Sequence, residues 1–195
     1  MSLPILLSIV IVFVVFYLIS TYNRFRVIET RIKASIQEIG NQLKRQADMI
    51  PNLVKSVKGY MKHEQKALTK ITDARKSIME AVKSSDTQKL VDAASSMATA
   101  LTPIKAVFES TPELKAAGPT QKLMDELRDT ADKVMYSRRT LIDLTADYNV
   151  LIVTFPTNLL ANLFKFEAKP GLTTPEKGEH LEVKVSDTKS PKVDL

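Results

Sequence analysis

Two histidines, 22 Asp and Glu and no cysteine bound the chemistry open to this 195-residue chain. Without cysteine there is no disulfide, no thiolate metal ligand and no cysteine nucleophile. A carboxylate-bridged metal pair in a helical bundle needs paired Glu together with Glu-x-x-His motifs on facing helices. Here Tyr60 stands three residues before His63, and His180 lies near the C-terminal end. Neither histidine has a local motif that would build a Ser-His nucleophile site. Phosphate cradles need Gly-rich loops, whereas Gly118 and Gly171 stand singly beside Pro119 and Pro170. These residues predict no enzyme, no metal and no cofactor. What they leave is binding chemistry.

The stretch that could bind is QLKRQADMIPNLVKSVKGYMKHE, residues 42–64. Leu43, Ile50, Val54, Val57 and Met61 step at the spacing of one helix face. Lys44, Arg45, Lys55, Lys58 and Lys62 lie opposite, with Asp48 four residues after Lys44 and Asn52 following Pro51. A solvated face is the plain reading of those cations, and contact with anionic lipid is the second. Tyr22-Asn23 and Tyr148-Asn149 form another candidate pair. An amphipathic tyrosine buries its ring and bonds through its hydroxyl at a bundle end, or else at a partner surface. His63 reads as a surface helix residue. The net charge of +6 is spread among interspersed acids. With no basic block interleaved with aromatics, nucleic acid is not an expected partner.

The elements that position these residues begin with Leu3 to Ile19, LPILLSIVIVFVVFYLI, which carries no charge. At about 1.5 Å per residue it reaches roughly 25 Å, and Ser20 to Tyr22 extend it toward a bilayer core of about 30 Å. A cleaved signal peptide would show a basic n-region and a small-x-small site, and neither is present. A retained transmembrane anchor is expected, with residues 3–19 in lipid. Arg24, Arg26, Arg31 and Lys33 follow the span against a single Glu29. That bias predicts a short N-terminus outside and the bulk of the chain on the cytoplasmic side.

From Ile32 the stripe runs Ile36, Ile39, Leu43, Ile50, Val54, Val57, Met61, Leu68, Ile71, Ile78 and Val82, with Gln46, Glu64 and Arg75 at three intervening seam positions. A 3.5-residue period is the signature of helices packed at shallow angles. Pro51 leaves two readings. A hairpin at Asp48 to Asn52 would place it at the first position of a new helix. One kinked helix would instead run from the anchor to about Val82. The unbroken phase across Pro51 favours the second, against a penalty of about 3 kcal/mol for an internal proline.

Ser84-Ser85-Asp86-Thr87 offers caps for a next helix, whose stripe is Leu90, Ala94, Met97, Leu101, Ile104 and Phe108. Pro103 should kink it or end it early, and its Ala- and Ser-rich face would allow close packing. Glu109 to Thr120 reads as a connection. A further long helix runs from Leu123 to about Ile152, with its acids early and Arg138-Arg139 late, the order that the macrodipole favours. Pro156 interrupts it. Thr157 to Phe166, with Asn158 and the apolar Leu159, Leu160, Leu163 and Phe164, forms a short amphipathic segment that docks on the bundle, on the membrane or on a partner. From Glu167 the apolar content falls, and a flexible tail is expected.

The 42–64 segment, Tyr22-Asn23, and Asp147-Tyr148-Asn149 running into FPTNLLANLFKFEAKP (155–170) together resemble the LemA family. The resemblance covers roughly residues 20 to 170. It implies a helical module anchored in a bacterial membrane, with some relatives on magnetosome membranes, and it supplies no catalytic residues. The expected architecture is all-α: one N-terminal transmembrane helix (1–22), then an antiparallel bundle of three or four long helices (23–166), then a tail (167–195). The expected role is a self-associating scaffold in membrane organisation at the bacterial inner membrane. The alternative is an adaptor subunit for a membrane enzyme such as a protease or sensor kinase.

Overall fold

The computed structural model describes residues 3–61, 64–84 and 86–172, and every regular element among them is a helix. In chain order these are α1 (Leu3–Val57), α2 (Gln65–Ser84), α3 (Thr87–Ser110), α4 (Pro112–Ala116), α5 (Gly118–Val153) and α6 (Thr157–Phe164). Phe25 packs on Tyr148 and Arg45 pairs with Glu126, so α1 and α5 run antiparallel over most of their length. Past the turn, α2 returns along α1 and its Arg75 reaches Ala47. α3 folds back on α2, and short α4 leads into α5. The result is an antiparallel bundle of four long helices, within the expected three or four.

One helix passes from the apolar segment into the bundle without a break. Its first part is apolar on all sides, with a mean hydropathy of 2.8 over 18 residues and none of that window buried. Burial begins at Thr21 and then follows one face through Phe25, Ile28, Ile32, Ile39 and Leu43. At about 1.5 Å per residue, the 55 residues of α1 make a rod of roughly 80 Å. We call the end where the bare segment emerges the near end, and the turn after α1 the far end.

Pro51 lies inside α1, on its exposed side, and the hairpin reading at 48–52 is not what forms. A proline has no N–H, so the carbonyl of Ala47, four residues back, loses its helical donor. The Arg75 Nε of α2 donates to that carbonyl at 3.0 Å. A guanidinium from the neighbouring helix thus replaces the missing backbone bond, and Ile50 and Leu53 stay fully buried on either side.

The expected extension to Val82 is corrected: α1 stops at Val57. Tyr60 and Met61 donate to the Val57 carbonyl at 2.9 and 3.1 Å, and Glu64 donates to the Met61 carbonyl at 3.0 Å, closing the turn. The apolar phase survives because Met61 and Leu68, on either side of this turn, enter the same core. Periodicity therefore could not register the break. The one local signal was Gly59, a poor helix former.

Asp86 caps α3 as expected, accepting from the backbone N–H of Gln88 and Lys89 at 2.9 and 3.1 Å. Of the kink or early end allowed at Pro103, the early end does not occur: α3 continues to Ser110, just past the Phe108 that closes the expected stripe. Burial of Leu101, Ile104 and Phe108 around the proline holds that last part in place. Of the small-residue face, Ala93 and Ala100 are buried and Ala94 half-buried, while Ser95, Ser96 and Ala98 face out. The far-end core is mainly aliphatic, with Phe108 its buried ring: Leu43, Ile50, Leu53, Ile71, Ile78, Met97, Ile104 and Leu127 are all essentially inaccessible.

The helices differ in reach. α2, with 20 residues, extends about 30 Å, and the α2–α3 turn comes only to the level of Ile36 and Leu141. Nearer the bare segment, α1 and α5 are left as a pair with an open groove between them.

Candidate functional site

The groove is filled by the chain's own return. α5 ends at Val153, and the Phe155–Pro156 bond is cis. Thr157 Oγ1 donates to the carbonyls of Leu151 and Thr154 at 2.5 and 2.8 Å, fixing the corner. α6 then buries Leu160 and Ala161. It ends at Phe164 with Lys165 in the left-handed region (φ 55°, ψ 42°). The Lys165 N–H bonds Asn162 O at 3.3 Å and the Phe166 N–H bonds Ala161 O at 2.9 Å, the pairing of a Schellman cap. A left-handed non-glycine residue costs about 1–2 kcal/mol. Here it turns Phe166 inward.

The inward ring completes an aromatic cluster. Phe166 stacks on Phe25 with centroids 4.5 Å apart and planes 15° from parallel. Phe25 meets Tyr148 edge-on at 5.6 Å. Tyr22 meets Phe164 at 5.0 Å and Phe166 at 5.7 Å. Offset-stacked and edge-to-face pairs are the arrangements that the ring quadrupole favours. Phe25 and Tyr148 are 0% and 1% exposed, which makes this a true core.

Beyond Phe166 the chain continues as a strap to Leu172. Asn149 holds it at two points: its Nδ2 donates to Lys169 O at 2.9 Å, and its Oδ1 accepts from Lys169 N at 2.8 Å. The Lys169 ammonium lies 3.2 Å from a Glu29 carboxylate oxygen and 5.5 Å from the centre of the Tyr148 ring. Glu29 also accepts from Arg26 at 2.6 Å. Burial alone would raise the Glu29 carboxyl. The Lys169 hydrogen bond and the charges of Lys169, Lys33 and Arg26 outweigh it and hold the group below its ordinary 4.5. Burial pushes the Tyr148 phenol above its ordinary 10.0, with Lys169 pulling the other way.

The candidates from the sequence divide. Tyr22, Tyr148, Asn149 and Phe164 come together here. Asn23 stands exposed beside the cluster, Pro156 caps α6 from its exposed corner, and Asn158 is half-buried with its Oδ1 buried and unpartnered. Lys44, Arg45, Asp48, Pro51 and Asn52 form a separate group far along α1. Lys44, Asp48 and Asn52 are exposed there, while Arg45 ties α1 to Glu126 of α5. Lys62, His63 and His180 lie outside the described residues. The boundary expected at 167 falls inside the strap, whose residues through Leu172 are placed against the bundle; the rest of the expected tail, 173–195, lies outside the described residues.

Phe25, Glu29, Phe166 and Lys169 were not singled out from sequence. Phe25 was within reach, because it sits seven residues before Ile32 and continues the stripe backwards. Glu29 read only as a charge after the span, and Phe166 and Lys169 carried no periodic signal, since a strap with two hydrogen bonds to one asparagine has none. The arrangement's chemistry is that of a latch: its carboxylate, ammonium, amide and rings bind one another and hold the chain's return against α1 and α5.

A bundle of antiparallel helices behind an apolar N-terminal segment, latched by its own C-terminal return, defines a helical module. The chain belongs to the LemA family, whose family pattern matches residues 35–186. Tyr22 and Asn23 fall outside that match, although the fold joins Tyr22 to Phe164 and Phe166 within it. A comparison with curated proteins returns no match.

Proposed function

We propose that this chain is a membrane-anchored helical scaffold, held in the bacterial inner membrane through residues 3–19, with its bundle on the cytoplasmic side. It self-associates and organises membrane through its helix surfaces, without catalysing a reaction. The observation that carries this reading is the continuity of α1. A bare apolar segment and a bundle that share one helix move as one body, which suits a part that transmits position. Arg24, Arg31 and Lys33 beside the span favour the cytoplasmic placement.

The adaptor reading is favoured by one feature, the exposed neighbours Met135 and Tyr136 on α5. Methionine and tyrosine are enriched where proteins dock. Affinity purification of the full chain in mild detergent separates the two roles. A self-oligomer alone supports the scaffold, and a stoichiometric membrane enzyme supports the adaptor. A strict monomer with nothing bound overturns both. Orientation is tested in intact cells with Lys76→Cys in this cysteine-free chain. Protection from a membrane-impermeant maleimide is expected, and labelling from outside would reverse the topology.

A further inference from the structure

We propose that α6 and the corner before it form a second membrane contact, in which Val153, Phe155, Leu159, Leu163 and Phe164 insert into the interfacial layer of the phospholipid bilayer that takes Leu3–Ile19. This rests on reading that segment as a span. All five side chains are exposed, from 46% at Phe164 to 74% at Val153 and Phe155. Singly exposed apolar residues are ordinary, but a contiguous group on one corner marks a contact surface. Leu159 and Leu163 lie one helical turn apart on the outer face, while Leu160 and Ala161 on the other side are buried. The inner face therefore fixes α6 on the bundle, and the outer face is left without a partner in the fold.

The occupant follows from where this face sits. The Tyr22–Phe164 contact at 5.0 Å sets α6 beside the point where the apolar part of α1 ends. Tyr17 and Leu18 are half-covered and Thr21 is buried, while Phe16 and Ile19 of α1 remain exposed and continue the apolar surface upward. A bilayer around Leu3–Ile19 thus ends within one helical turn of Tyr22, the residue that Phe164 of α6 touches. Lys165 is exposed directly after α6, and Arg24 is exposed on α1 two residues past Tyr22. Their long stems let the charged heads reach lipid phosphates while the apolar parts lie deeper. Apolar residues above and cations below match the layering of an interfacial helix. A second copy of the chain would have to displace lipid from this same height.

The chain contains no cysteine, so single labels can be placed in the full-length protein. Nitroxides at Leu159→Cys, Leu163→Cys, Ile11→Cys and Lys133→Cys are compared after reconstitution into phosphatidylcholine–phosphatidylglycerol vesicles. Ile11 reports the span and Lys133 the solvated bundle. The expected result is that Leu159 and Leu163 collide with oxygen more than with an aqueous nickel chelate, as Ile11 does, whereas Lys133 shows the reverse order. Collision at Leu159 and Leu163 in the Lys133 order, with Ile11 in lipid, overturns the second contact and leaves the anchor standing. An aqueous Ile11 overturns both. Spin–spin broadening at Leu163 that disappears on dilution with unlabelled chain would assign the face to a second copy and overturn the lipid contact.

Discussion

The two ends of the bundle solve the same burial problem with different material. At the far end α1, α2, α3 and α5 surround a mainly aliphatic core, with Phe108 as its ring. At the near end only α1 and α5 remain, and two helices alone leave part of each apolar face in water. α6 and the strap supply the third wall there, and rings replace aliphatic chains. An aromatic ring buries more area per residue, which suits a wall made from a few residues of irregular chain. Both ends also mend a backbone with a side chain from elsewhere. Arg75 answers the Ala47 carbonyl that Pro51 leaves open, and Asn149 pairs with both backbone groups of Lys169, which has no helix to pair with.

Removing the ring at the centre of the near end should have the largest effect. Phe25→Ala takes away a fully buried side chain that touches both Tyr148 and Phe166, and a loss of about 3–5 kcal/mol is expected in chemical denaturation. Ile78→Val at the far end should lose only about 0.5–1.5 kcal/mol. Equal losses would mean that the aromatic wall is not a core.

Next is the repair at the far end. Arg75→Ala leaves the Ala47 carbonyl without its donor, for an expected loss of about 1–3 kcal/mol. Pro51→Ala restores a backbone N–H and should remove most of that sensitivity. A double-mutant cycle reads the coupling directly. If the two effects simply add, the Arg75 bond is not a replacement for the helical one.

Legibility in the sequence follows the same division. Elements held by periodic burial could be read in advance: the apolar segment, the stripes of α1, α3 and α5, and Tyr148 on its inner face. Asp86 was legible because a cap is a local signal. The break at Val57 was hidden, since Met61 and Leu68 re-enter one core in the phase that a continuous helix would give. The reach of α3 to Phe108 was legible in its stripe, because the burial of Leu101 and Ile104 overrides propensity at Pro103. The latch was least legible. Glu29, Lys169 and Asn149 meet only after α5 has returned along α1, and no spacing along the chain encodes that meeting.

A smaller, local effect is expected from Asn149→Ala. Two hydrogen bonds at about 0.5–1.5 kcal/mol each hold Lys169, so hydrogen exchange at the Lys169 amide should speed up while the far end keeps its denaturation midpoint. A shift of the whole bundle would show that the strap and the far end are one cooperative unit.

The smallest effect is that of pH. The Glu29 carboxyl sits below its ordinary 4.5 in the folded chain, so its support for the strap is complete above that value. It fades as pH falls through the lower folded-state value. An exposed-to-intermediate ion pair contributes about 0.2–1 kcal/mol, and Glu29→Gln should abolish that part of the acid response as read by hydrogen exchange at the Lys169 amide relative to the free-chain rate at each pH. An unchanged acid response in Glu29→Gln would assign it to another carboxylate.

Hydrogen exchange across residues 164–172 of the full chain in lipid tests the latch most directly. The amides of Phe166 and Lys169, bonded to Ala161 O and Asn149 Oδ1, should exchange far more slowly than a free chain. Exchange of both at the free-chain rate, with α1 and α5 still protected, would show that the near end stands open and that the strap is not its third wall.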